Sequence, residues 1–268
     1  MPIKKDETGK RWVEMEVLMP GTPEQVWAAM ATGPGNAAWF TKAKIEERVG
    51  GALLFDFGPG ATSAGEVTTW EPPRRFGYVE TGWSEGAPPV ATEITITSRA
   101  GNQCVMRMVH SLFTSSDAWD DQMEGFEKGW PGFFEVLRLY LGHFAGMKGA
   151  SFMAMSSLER PVLGVWTRLT AELGLSGANV GERREGTGQP ERLSGEVAHI
   201  HQDAKLRAMT LRLDAPAPGV ATVGAYEAGA RTNASVSLYF YGENAAELAA
   251  SSEGRWRAWL EKTLADPA

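Results

Sequence analysis

The chain states one pattern twice. The segment GEVTTWEPPRRFGY, Gly65 to Tyr78, returns as GEVAHIHQDAKLRAM, Gly195 to Met209, which sets Gly65, Glu66, Val67 and Phe76 on Gly195, Glu196, Val197 and Leu206. Upstream, WVEMEVLMPGTPEQVWAAM (Trp12 to Met30) is echoed by SFMAMSSLERPVLGVWTRL (Ser151 to Leu169), pairing Val13 with Phe152, Val26 with Val165 and Trp27 with Trp166. Downstream, Trp130, Phe133, Phe134 and Glu135 meet Trp256, Trp259, Leu260 and Glu261. Three anchors recurring in one order are the mark of a repeated unit. The expectation is two tandem domains, 1–148 and 149–268, the second shorter and degenerate; a chain of 268 residues suits that division.

Each copy spells a mixed α+β domain. Alternation over Trp12 to Val17 predicts a strand with one buried face. Gly21-Thr22-Pro23 then starts a short helix running to about Met30, with Thr22 as cap and Pro23 in the first turn. A second short helical turn, after Gly33-Pro34-Gly35, carries Trp39 and Phe40. From there to Leu112 the Gly and Pro breaks divide the chain into about six strands. Trp119, Met123, Phe126, Trp130, Phe133, Phe134, Leu137 and Leu141 recur along one helical face, with Gly129, Pro131 and Gly132 predicted to bend the helix. The second copy repeats this plan with strands at Phe152 to Ser156, Ser194 to Gln202, Lys205 to Leu213, Val220 to Tyr226 and Ala234 to Tyr241. Its helix covers Ala245 to Leu264, and a Gly-rich, charged stretch, Gly174 to Leu193, replaces the strands that carried Phe55 and Phe57. A curved antiparallel sheet gripping a long C-terminal helix is the architecture expected of each copy.

Several function classes are excluded. A net charge of −7 disfavours nucleic-acid and anionic-membrane partners. No apolar run approaches the roughly 20 residues that span a bilayer, and the Met-Pro-Ile-Lys-Lys-Asp start lacks a secretory signal's apolar stretch, so a cytoplasmic location is expected. The single Cys104 cannot form an internal disulfide and reads as buried filler. There is no nucleophile elbow, and Gly58-Pro59-Gly60 and Gly33-Pro34-Gly35 lack the Lys-Ser/Thr of a phosphate loop, so no cofactor is expected. His199 and His201 project to one face of a strand, as a metal pair could, but only Asp203 or Glu196 is at hand as a third ligand, and no metal is expected. His143 lies near the end of the long helix, where a cation suits the dipole.

A Pro-x-x-Val-Trp helix start, Gly50-Gly51 followed by Phe55 and Phe57, Gly-Glu-Val ending in Glu-Pro-Pro-Arg-Arg-Phe, Val109-His110-Ser111 and a Gly-Trp-x-x-Phe-Phe helix together carry a resemblance. Over about Trp12 to Phe144 the chain resembles the domain named after the activator of the heat-shock protein 90 ATPase, within the START-like (SRPBCC) superfamily. The resemblance implies a helix-grip, START or Bet v-like, fold with an apolar cavity between sheet and helix. It implies fold more firmly than activity. It also raises a chaperone role, which the short polar stretch ahead of the domain makes the least expected.

Alternation gives the residues that face inward. Arg107 should face water, which turns Met106, Met108 and His110 to the concave side; Ile94, the pair Phe76 and Tyr78, and the pair Phe55 and Phe57 each share a face. With Trp39, Phe40, Val67, Trp83, Trp119, Met123, Phe126, Trp130 and Phe133 these make an aromatic and Met-rich lining for an apolar ligand. His110 is the one candidate acid or base, acting with Tyr78 or a bound water. Glu66, beside inward Val67, should face outward unless a bulge reverses it. Binding of an apolar or aromatic small molecule without turnover is the expected function; a polyketide cyclase, dehydratase or hydrolase using His110 is the alternative. A homodimer, or a monomeric pseudo-dimer in which the second copy covers the pairing surface, is the expected assembly.

Overall fold

The computed structural model describes residues 3–58, 61–81, 83, 86–114 and 116–264, without the side chains of Phe113, Phe126 and Glu127. It divides into two compact units, Met1–Gly146 and Met147–Ala268. Among the described residues no helix is long and apolar enough to cross a membrane.

The first unit runs β1 (Lys4–Lys5), β2 (Lys10–Pro20), α1 (Pro23–Ala31), α2 (Gly33–Ala37), β3 (Lys42–Ile45), β4 (Ala52–Asp56), β5 (Thr62–Glu71), β6 (Arg75–Thr81), β7 (Val90–Arg99), β8 (Gln103–Phe113) and α3 (Asp120–His143). Its antiparallel sheet has the order β1-β2-β8-β7-β6-β5-β4-β3, so the first long strand pairs with the last. The helix starts follow from local chemistry. Thr22 caps α1 by accepting from Gln25 N at 3.3 Å, while Gln25 Oε1 accepts from Thr22 N at 2.9 Å. One expectation is corrected here: the second helix begins at Gly33 itself, capped by Thr32, and Trp39 and Phe40 follow it. Gly35 permits this, because a Cβ there would lie 1.8 Å from the Ala28 carbonyl oxygen of α1. The long helix is continuous through Pro131.

The second unit runs β9 (Gly149–Leu158), α4 (Val162–Glu172), β10 (Arg183–Glu185), β11 (Ser194–Gln202), β12 (Leu206–Ala215), β13 (Gly219–Ala228), β14 (Arg231–Tyr241) and α5 (Ala245–Leu264). Its sheet order, β10-β11-β12-β13-β14-β9, again pairs the first strand with the last and then runs backwards. Shared detail goes deeper than order. Gly50 N donates to Val67 O and Val67 N to Gly51 O; Gly181 N donates to Val197 O and Val197 N to Glu182 O. The register slips just after Val67 and again just after Val197, and a Cβ on Gly65 or Gly195 would meet the facing strand's carbonyl oxygen at 2.4 or 2.2 Å. The short β10 occupies the place of β4, with Gly186 opposite Leu193 as Phe55 is opposite Ser63.

Register also corrects the alignment read from sequence. Val67 faces Tyr78 whereas Val197 faces Leu211, so the second hairpin is longer by three residues. Phe76 therefore corresponds to Met209, not Leu206. Val13 still falls on Phe152, since His110 faces Val13 and Leu238 faces Phe152.

Candidate ligand site on the concave face of the first sheet

Three rows of side chains cross the inner face of β6, β7, β8 and β2. Phe76, Ile94, Met108 and Met15 form one row; Tyr78, Thr92, His110 and Val13 the next; Glu80, Val90, Leu112 and Arg11 the third. Apart from Glu80, every member is at most 7% exposed. Strand alternation thus places Phe76, Tyr78, Ile94, Met106, Met108 and His110 inward as expected, with Arg107 on the opposite side. Val67 is fully buried, and Glu66 beside it is exposed, as expected of an outward-facing side chain.

The middle row is polar. The Thr92 hydroxyl and His110 Nδ1 are hydrogen-bonded at 2.8 Å, and the Tyr78 phenol also lies within reach of Thr92. Glu80 accepts from the Ser63 hydroxyl at 2.5 Å. Burial drives all three titratable groups toward their neutral forms: His110 is pushed down to about 4, and Tyr78 and Glu80 are both raised. Near pH 7 the His110 imidazole, the Tyr78 phenol and the Thr92 hydroxyl are thus uncharged donors and acceptors set into an apolar floor.

The second unit shows that the fold does not require them. At the register positions of Tyr78, Thr92, His110 and Glu80 stand Leu211, Ala221, Leu238 and Leu213, and Leu193 takes the place of Ser63. All five belong to the buried apolar core of that unit.

Where an open hollow is expected, aromatic rings lie against one another. Trp130 is centred 5.5 Å from His110 at 18°, 5.6 Å from Phe134 at 19° and 4.9 Å from Phe40 at 35°. Phe40 in turn meets Phe55, Phe57 and Phe133 at 5.0–5.9 Å. Trp39 is tied to α1 through Nε1, which donates to Ala29 O at 3.0 Å. Phe57 remains 44% exposed at the edge of this group. Trp83, Trp119 and Met123 do not join it. They pack with Val13, Val90 and Leu112 in a separate cluster at the start of α3, because that end of the helix lies over the opposite end of β2 and β8. The Phe126 side chain lies outside the described residues.

Two grooves lie elsewhere. One, of about 390 Å³, is on the outer face of the sheet and includes Trp12, Glu14, Glu93 and Arg107; Glu14 is bound by Arg107 at 2.7 Å and Lys4 at 2.9 Å, bonds that lower its pKa to about 2. The other, of about 230 Å³, follows the seam between β2 and α3, with Met15, Pro131, Phe134 and Arg138 on its walls.

The remaining candidates are structural. Cys104 is buried with Sγ 3.3 Å from Gly21 O. His201 Nε2 is 2.9 Å from Asp203, and among the described residues no three potential ligands gather as a metal site. Sequence reasoning missed Ser63, Glu80, Thr92 and Phe134 as site members, although Glu80 and Thr92 share the alternation frame of Tyr78 and Ile94.

Residues 20–142 match the family model described as Activator of Hsp90 ATPase homolog 1-like protein. Solved structures similar to the chain include CalU16 from Micromonospora echinospora, 21% identical over 53% of this chain and 83% of that one, with a TM-score of 0.43. Protein MLL2253 from Mesorhizobium loti is 23% identical over 50% of this chain and 98% of its own, TM-score 0.46. DynU16, a protein in the dynemicin biosynthetic locus, is 20% identical over 85% of this chain and 86% of its own, TM-score 0.43. No curated protein matches the chain.

Proposed function

We propose that the N-terminal unit, whose residues 20–142 match the family model described as Activator of Hsp90 ATPase homolog 1-like protein, binds an apolar or aromatic small molecule on its concave face, beneath α3, and releases it unchanged. The observation that carries the reading is the strip formed by Ser63, Glu80, Tyr78, Thr92 and His110, where the same topology elsewhere in the chain uses Leu and Ala. Polar groups buried without a structural need are costly, and a few of them in an apolar setting are what orient a ligand.

The protonation states favour binding over turnover. A general base works best with a pKa near the operating pH. His110 is pushed down to about 4 by burial, and the Tyr78 phenol is raised well above its ordinary value, so neither is poised to exchange a proton near pH 7. The reading also gives the second unit a structural role, since its concave face is closed by a continuous apolar core that includes Trp256 and Leu260.

Calorimetric titration of the full chain with uncharged aromatics such as 2-naphthol and 2-acetylnaphthalene tests this. Binding is expected, weakened about 2- to 10-fold in Thr92→Ala, the worth of one hydrogen bond. Recovery of the probe unchanged agrees with binding alone, whereas chemical conversion would favour the cyclase or hydrolase alternative. Failure of every such probe to bind wild type and Trp130 variants alike defeats the proposal.

A further inference from the structure

The shape of the guest can be read from the side chain that now fills its place. Trp130 is the hub of the ring cluster, and its relations to its neighbours are not uniform. The His110 imidazole and the Phe134 ring lie within 20° of parallel to the indole, at 5.5 and 5.6 Å, while Phe133 is inclined at 62°. Near-parallel offset stacking is the arrangement that accepts a flat ring system. The indole is thus stacked near-parallel with two rings, one of which, His110, belongs to the polar strip with Thr92 and Tyr78.

The segment carrying Trp130 is the least anchored part of α3. Below it Phe134, Val136, Leu137, Tyr140 and Leu141 are at most 6% exposed, whereas from Asp121 to Gly132 the described side chains other than Met123 and Trp130 are exposed. Gly125, Gly129, Pro131 and Gly132 fall in the same stretch, and Gly and Pro are the residues that weaken a helix most. Few buried contacts and a weak helix are the physical content of a segment that opens locally. The sequence counterpart, Trp256, contrasts with this: it is fully buried and its Nε1 donates to Glu191 at 3.1 Å. The groove along the β2–α3 seam, with Phe134 and Pro131 on its walls, leaves free space beside the indole's own neighbour.

We propose that Trp130 is an internal plug standing in the place of a planar, fused-ring aromatic guest, and that the ligand of the N-terminal unit is an uncharged molecule of this class which enters by displacing the indole. The inference rests on the functional reading above and adds the guest's shape and charge. A carboxylate is disfavoured because the strip presents a phenol and a neutral imidazole with the Glu80 carboxyl beside them, and the cation at the end of the neighbouring row, Arg11, is already paired with Asp120, so an anion would lose its hydration without a new counter-charge.

The test uses the full chain and its Trp130→Ala variant, with indole, 2-naphthol and 2-naphthoate as probes at pH 7. Removing the plug should raise affinity for indole and 2-naphthol by about tenfold or more, since a large apolar ring then fills a vacated cavity. Saturating indole should raise the melting temperature of the variant more than that of wild type. In both chains 2-naphthoate should bind on the order of tenfold more weakly than 2-naphthol. Should Trp130→Ala not fold, Trp130→Leu takes its place with the same expectations. Equal affinity of wild type and variant overturns the plug while leaving the functional reading intact; preference for 2-naphthoate overturns the uncharged class; absence of binding to any chain defeats both.

Discussion

Replacing Thr92 by Ala and His110 by Leu installs the residues that the second unit carries at Ala221 and Leu238. Each single change should be harmful. Thr92→Ala takes the hydroxyl from a fully buried imidazole and should cost about 1–3 kcal/mol, and His110→Leu removes a partner from Thr92 at about 1–2 kcal/mol. Together they remove both partners of that bond and leave only the buried Tyr78 phenol, which also lies within reach of Thr92, to lose a contact, so the double variant should cost about 1–3 kcal/mol at pH 7, less than the two single changes added together. Acid adds a second signature. His110 has its pKa lowered from 6.5 to about 4, so between those values the unfolded chain takes up a proton that the folded chain refuses. Wild-type stability from this group is therefore present above about pH 6.5 and lost as the pH falls toward 4, by about 3 kcal/mol in total. The double variant lacks that loss, and Glu80, common to both chains, cancels in the comparison. Urea unfolding at pH 7 and pH 4.5, followed by hydrogen exchange of β7 and β8 peptides, reports the N-terminal unit by itself. A double variant less stable than wild type by more than about 3 kcal/mol at pH 7 would show that the fold needs the polar strip. The same acid dependence in both chains would remove the account of His110.

Glu80→Gln should keep the bond from Ser63 and change the pH dependence. Because burial raises the Glu80 pKa, its stability contribution is present at low pH and lost as the pH rises through the folded-state value, so the variant's melting temperature should gain on wild type between pH 5 and pH 8. A difference that stays constant over that range contradicts a raised Glu80 pKa. Gly65→Ala and Gly195→Ala should each destabilise their own unit by about 2–3 kcal/mol, since each Cβ would overlap a facing carbonyl oxygen. Hydrogen exchange should show the loss confined to one unit in each case. Asp120→Asn should weaken the first unit, because the carboxylate pairs with Arg11 and Lys5 at the start of α3. Burial opposes these two bonds, but they prevail and lower the Asp120 pKa, so wild type should lose this advantage as the pH falls through the carboxylate range while Asp120→Asn does not.

Much of the fold was legible because alternation and helical period are local. Phe76, Tyr78, Ile94, Met106, Met108 and His110 were assigned to the concave side from strand period alone, and α5 and β11 have the predicted bounds. The pairing of Phe76 with Leu206 failed for a physical reason: hairpin length is set by turn geometry, and three extra residues shift every later position while leaving the Gly-Glu-Val anchor in place. Thr92 and Glu80 were hidden by residue type, since a threonine or glutamate in an alternating strand ordinarily faces water. That Trp83 and Trp119 pack over Val13, Val90 and Leu112 and not among the rings around Trp130 could not be read from composition, because which end of a long helix covers which part of a sheet is a tertiary fact. The stacking of Trp130 on His110, which puts rings where a hollow is expected, joins residues on separate elements and has no signature in spacing.

The most direct measurement is the methyl and imidazole NMR spectrum of the full chain titrated with 2-naphthol. The account predicts that Thr92, His110, Met106 and Met108 shift together and saturate, that the Trp130 indole signals move with them, and that Ala221, Leu211 and Leu238 stay unchanged. Shifts confined to the outer groove around Trp12 and Val109, or to the second unit, would contradict it.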